Sequence, residues 1–280
     1  MIAVIIYHLK INLFGQKFLE GGFFGVDIFF VISGYLITQL ILNEIIITNN
    51  FNFKNFYSRR IRRLLPLLLL VIIFSIPLGW KYMLPTDFME LSKSTISSIF
   101  FSSNLYFYFS GVEYIKQDSL LQPLLHTWSL SVEEQFYIVF PIFFFFIYKK
   151  INKLFLPSLI SIFILSFCFS IYGSINFKFA NFYFLFSRIW EIIFGSIIAF
   201  IEVKRKSRSK NLFLNQFFQF LGVILIFISF INFNDEINHP SMITLIPVLG
   251  VGLIIWFSNG NEIVTRILSS KVLVSIGLIS

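Results

Sequence analysis

Five places in this chain set ionisable groups inside strongly apolar sequence: His8 in IAVIIYHLK, Asp27 in GGFFGVDIFFVISGYLIT, Arg60 with Arg63 in FYSRRIRRLLP, Glu133 with Glu134 in HTWSLSVEEQFY, and Arg188 with Glu191 in SRIWEIIFG. In a bilayer each costs several kcal/mol unless paired, hydrated or near a helix end. A neutral imidazole at His8 suits general-base chemistry near pH 7, and a hydrogen-bonded core histidine is the alternative. Asp27 either orients His8 or pairs with an arginine. Arg60 and Arg63, three apart, share a helix face and present planar forks suited to phosphate, to which the amide end of their helix would add; charge that only sets orientation is the competing reading. Adjacent Glu133 and Glu134 point to different sides of a helix, so one is expected to face a cavity and the other the outer surface. Arg188 and Glu191 are spaced to neutralise each other within one helix.

Composition decides what holds these groups. With 57% hydrophobic and 13% charged residues, 40 of them phenylalanine, and a mean hydropathy of +0.83, the chain cannot be a soluble domain and reads as a polytopic membrane protein. Apolar blocks of about 20 residues, enough helix to cross about 30 Å of hydrocarbon, recur throughout. The expected fold is therefore all-α, a transmembrane helical bundle forming one membrane domain over 1–280 with no soluble domain. The net charge of +8 would suit nucleic acid, but the basic residues fall in short loops between apolar blocks, where they set topology. No nucleic-acid partner is expected. The single cysteine, Cys168, lies inside an apolar block and leaves no disulfide and no cysteine metal site; no metal is expected.

The positive-inside rule places the loop with Lys54, Arg59, Arg60, Arg62 and Arg63 in the cytoplasm, after a span at about 23–42. The next span, 64–80, then runs outward with Pro66 in its first turn. Later basic clusters at 149–153, 204–210 and 266–271 belong on the same side. Parity then requires one intervening block not to cross, and 91–110, LSKSTISSIFFSSNLYFYFS, polar in its first half, is the better candidate. It is predicted to be re-entrant beside the active cavity. Segment 111–127 and the acidic loop 232–241, with Asp235 and Glu236, fall outside, and 212–231 and 242–258 cross. The first block, 1–14, is short for a span and the last is cut at Ser280, so the domain is expected to lack both a beginning and an end.

Taken together and in this order, GGFFGVDIFFVISGYLIT, FYSRRIRRLLP, HTWSLSVEEQFYIVFP and SRIWEIIFG resemble the membrane-bound acyltransferase family 3, which includes O-acetylases of lipopolysaccharide O-antigen, peptidoglycan and other surface sugars. The resemblance implies a bacterial inner-membrane bundle of about ten spans that moves an acyl group, usually acetyl, from cytoplasmic acyl-CoA to a hydroxyl of an envelope glycan. It implies a catalytic role for His8, supported by Asp27 or Glu133, and donor binding by Arg60 and Arg63. Ser33, Trp128, Ser129, Arg188 and Glu191 take structural or substrate-supporting roles. No permanently bound cofactor is implied; acetyl-CoA is a substrate. Two departures stand out: the family's arginine upstream of the histidine has no counterpart here, and its last motif would begin where the chain stops. A transporter or flippase of an envelope precursor, or an inactive acyltransferase fragment, are the competing readings.

Overall fold

Apolar runs of this length satisfy their backbone polar groups in lipid only as helices, and the computed structural model, which describes residues 2–9, 12–13, 16–17, 19–112, 122–205, 209, 211–234 and 237–279, is a helical bundle. The helices are α1 (Ile2–His8), α2 (Gly25–Thr48), α3 (Phe53–Tyr82), α4 (Pro85–Ile99), α5 (Ser103–Phe109), α6 (Thr127–Lys150) and α7 (Asn152–Asn176). They continue with α8 (Lys178–Tyr183), α9 (Leu185–Arg205), α10 (Leu212–Asn232), α11 (Leu245–Trp256), α12 (Ile263–Leu268) and α13 (Lys271–Ile279). Among the described residues the strand pairing is one two-residue antiparallel ladder, β1 (Asn12–Leu13) with β2 (Gln16–Lys17). Among the described residues six helical stretches are long and apolar enough to cross a membrane: Glu20–Thr48, Phe53–Tyr82, Thr127–Tyr148, Lys153–Asn176, Lys178–Arg205 and Leu212–Asn232. The chain is therefore a multi-pass membrane protein.

Several boundaries follow from local chemistry. Asn49 closes α2 in the left-handed region, φ 55°, with its N–H returned to Ile45 O. The Asn52 side chain then caps α3 by accepting from Asn55 N. That cap corrects an expectation: α3 starts at Phe53, so Pro66 lies deep inside the helix instead of in its first turn, and Arg60 and Arg63 lie about two to three turns beyond the free amides. The segment 91–110 does not form a spanning helix. It breaks at Phe101, φ 51°, into the end of α4 and the short α5. The predicted span 242–258 is a shorter apolar helix, Met242–Trp256, than a full crossing requires. Lys206, Arg208, Lys210, Asp235, Glu236 and residues 113–121 lie outside the described residues.

The centre of the bundle is the packing of α2 on α9. A Cβ on Gly34 would stand 1.8 Å from Ile192 O, and one on Gly195 would stand 1.9 Å from Val31 O. Small residues here let two backbones touch, which is how helices associate in lipid, where apolar burial supplies no preference. The helices run in the same direction, since Asp27 meets Arg188 at one end and Tyr35 meets Glu202 further along. Helix α6 runs parallel to both, through Phe30 on Trp128, Ser33 on Tyr137 and Phe200 on Tyr148. The ends at Thr48, Lys150 and Arg205 therefore share one face of the bundle, the side that the basic clusters assign to the cytoplasm.

Candidate active site

Among the polar clusters in this apolar interior, two gather the ionisable motif residues, one near the outer ends of α2 and α9 and one deeper between α2, α3 and α6. In the outer cluster Arg188, fully buried, donates from Nη1 to Asp27 Oδ1 at 2.7 Å, from Nε to Phe182 O at 3.2 Å, and from Nη1 to Glu191 Oε1 at 3.5 Å. The within-helix pair with Glu191 thus exists, but the shorter bond crosses to α2. For Asp27, pairing with an arginine is the alternative the structure realises, because its other oxygen, Oδ2, stands 3.0 Å from His239 Nε2.

His239 was not singled out by sequence reasoning, which placed it in an external loop. Its side chain is only 8% exposed and lies between Phe23, Phe24 and Phe182. With Nε2–H donated to Asp27, Nδ1 is left to accept from Arg188 Nη2 at 3.3 Å, the pattern of a neutral imidazole. Burial, with the Arg188 charge beside it, holds His239 well below its ordinary value. Trp128 completes this cluster, buried on Phe182 and 5.4 Å from the Arg188 guanidinium.

His8 ends α1, which presses on the turn before α2 so closely that a Cβ on Gly22 would meet Ala3 O at 2.4 Å. Its exposed ring meets the His126 ring edge to face, centroids 4.5 Å apart. Tyr7 flanks it and leads through Phe23 to His239. His126 is the second residue that sequence reasoning passed over; it stood inside a quoted motif, but nothing local marks it as a neighbour of His8, 118 positions away. Ser129, half-buried, donates to His126 O.

The deeper cluster lies about 9 Å further along α2, six residues past Asp27 at 1.5 Å each. Ser33 Oγ hydrogen-bonds Tyr137 OH, and Tyr137 OH donates to Glu133 Oε2 at 3.4 Å. The Arg60 guanidinium carbon lies 4.1 Å from the centre of the Tyr137 ring, and Tyr57 OH, one turn earlier on α3, donates to Ile138 O at 3.1 Å. Arg63 is exposed on the same face of α3. Glu133 is half-buried and Glu134 buried, so, contrary to expectation, neither carboxylate is exposed, although α6 does present an outer face at Ile138 and Val139. Among the described residues, no three His, Cys, Asp or Glu side chains are grouped to hold a metal ion.

The arrangement offers two stations on common helices. An exposed imidazole pair stands at one end of α2, and an arginine on an aromatic ring lies further along, on α3. The buried Asp27–Arg188–His239 cluster ties α2, α9 and the loop after α10 around the first station.

Comparison with known proteins fits this geometry. The acyltransferase-domain family profile matches residues 1–280. A Staphylococcus aureus (strain COL) protein named "Putative O-acetyltransferase SACOL0978" is 34% identical over 293 aligned residues, covering 99% of this chain and 46% of that protein. "O-acetyltransferase OatA" of Staphylococcus aureus (strain NCTC 8325 / PS 47) is 39% identical over 170 residues, 58% of this chain and 27% of that one. The chain spans about half the length of the first of these curated relatives. No solved structure matches it. With the whole chain matched, and with motif residues from α2, α3, α6 and α9 meeting in the two clusters, this protein belongs to the acyltransferase 3 family.

Proposed function

We propose that the chain is the membrane part of an O-acetyltransferase of the bacterial cytoplasmic membrane, moving an acetyl group from cytoplasmic acetyl-CoA to a hydroxyl of an envelope glycan. The observation that carries this reading is that α2 and α6 each reach both stations: Asp27 and Ser33 on one, Trp128 and Tyr137 on the other. Arg60, with Arg63 beyond it, would hold the donor phosphates from the cytoplasmic side. The thioester would then extend along α2 and α6 toward His8. There the imidazole would take the acceptor proton while the hydroxyl oxygen attacks the thioester carbonyl; the carbon–sulfur bond breaks, and the released thiolate finally receives a proton.

The test is the alkali-labile O-acetyl content of the host's purified envelope glycans. A deletion strain carrying the wild-type gene is expected to recover it, and one carrying an equally abundant His8→Ala protein is not. Recovery with both proteins would refute the role of His8. Failure of purified wild-type protein to bind CoA at all would refute the acyltransferase reading and return a transporter to favour.

A further inference from the structure

Arginine has a long, flexible side chain, so a guanidinium that must meet phosphate at depth in a membrane needs something to fix its direction. Helix α3 gives Arg60 little help, because most of its residues face outward and few of its side chains are buried in the bundle. Its attachment to α6 is local: Phe53 against Phe145, Tyr57 OH on Ile138 O, and Arg60 on Tyr137. We propose that Tyr137 is the positioning residue for Arg60, a platform that aims the guanidinium at the phosphates of the donor; this rests on the reading of Arg60 as a donor-binding residue.

Three features of the site make the platform specific. The guanidinium carbon stands over the Tyr137 ring, 4.1 Å from its centre, a cation–π contact. All five of its N–H donors lie in the guanidinium plane and offer forked edges to phosphate, and the Glu133 and Glu134 carboxylates lie near enough to feel its charge. The ring itself cannot drift. Its hydroxyl is tied to Ser33 on α2 and to Glu133 on its own helix, and the side chain is 2% exposed. Tyr137 thus couples α2 and α6 to Arg60, while its neighbour Arg59 is held separately by Glu44 of α2 at 3.5 Å.

The experiment is CoA binding by calorimetry to the purified full chain in lipid nanodiscs, with Arg60→Ala, Tyr137→Phe, Tyr137→Leu and the double variant Tyr137→Leu/Arg60→Ala. Tyr137→Leu, which removes the ring, is expected to weaken CoA about tenfold, and Tyr137→Phe, which keeps it, about threefold or less. The double variant is expected to bind no more weakly than Arg60→Ala alone, because the tyrosine acts only through the arginine. A structural role elsewhere would instead add its loss to that of Arg60→Ala, and additive losses overturn the proposal. So does wild-type affinity in Tyr137→Leu while Arg60→Ala has lost binding, which leaves the donor reading intact. Unchanged affinity in Arg60→Ala would sink both. If Tyr137→Leu does not fold, Ser33→Ala, which only frees the tyrosine hydroxyl, must weaken CoA by about two- to threefold and lose that effect in the Arg60→Ala background.

Discussion

Replacing Asp27 with alanine removes two bonds from a cluster that water does not reach: the 2.7 Å ion pair with Arg188 and the 3.0 Å bond with His239. Stranding one partner of a buried ion pair costs about 3–5 kcal/mol. Glu191 Oε1, 3.5 Å from the same Arg188 nitrogen, can take up part of the freed charge, so we expect Asp27→Ala at the lower end, about 3 kcal/mol. Arg188→Met should cost more, because it leaves two buried carboxylates facing each other without a cation. The double variant should then cost clearly less than the sum of the two singles, since the carboxylate whose partner has gone is itself removed. The assay is SDS-driven unfolding of the purified chain in mixed micelles, followed by fluorescence of the buried Trp128 and Trp190. Additive losses, or an Asp27→Ala protein of wild-type stability, would refute a structural cluster. A stable Asp27→Asn protein with no acetyl transfer would instead return Asp27 to the catalytic group.

Gly34→Ala puts a methyl group 1.8 Å from Ile192 O, a backbone atom that cannot turn aside, so the α2–α9 contact must open; we expect a loss of about 1–3 kcal/mol or more in the same unfolding assay, with Gly277→Ala, which meets open space, as the neutral control. His239 supplies a pH signature. Its proton affinity in the fold is depressed below the ordinary 6.5, so from about pH 6.5 downward the unfolded chain binds a proton that the folded chain does not, and stability falls as pH falls through that window. His239→Gln should lose less stability than wild type between pH 7 and pH 5, and parallel profiles for the two proteins would disprove it. His126→Ala, at equal abundance, should lower envelope O-acetylation by about a hundredfold if the imidazole it presents to His8 takes part in proton transfer; unchanged acetyl content would make the contact incidental.

Much of this protein was legible before any folding. Hydropathy and block length decide that it is a helical membrane protein, because a continuous apolar run of about 20 residues satisfies its own backbone in lipid as a helix, whereas a barrel strand needs only about ten alternating residues. The mixed polarity of 91–110 marks it as the block that does not span, which the break at Phe101 bears out. The groups worth attention were equally visible, since an ionisable side chain in apolar sequence is costly wherever it sits. The four motifs that carry these groups also pointed to the family that the whole-chain match establishes.

Their partners were not legible. Arg188 with Glu191 is a spacing that one helix explains, but Arg188 with Asp27 spans 161 positions and needs α2 and α9 to touch at Gly34 and Gly195, and His239 with Asp27 spans 212 and needs the loop after α10 to fold back on α2. The Asn52 cap, by starting α3 about three turns early, put the arginines in the helix interior and onto Tyr137. The sequence by itself determined which residues must find partners, because desolvation cost is a property of each side chain and its apolar neighbours. Which partners they found was decided only by the tertiary structure, because that depends on the register and close approach of helices far apart in the chain.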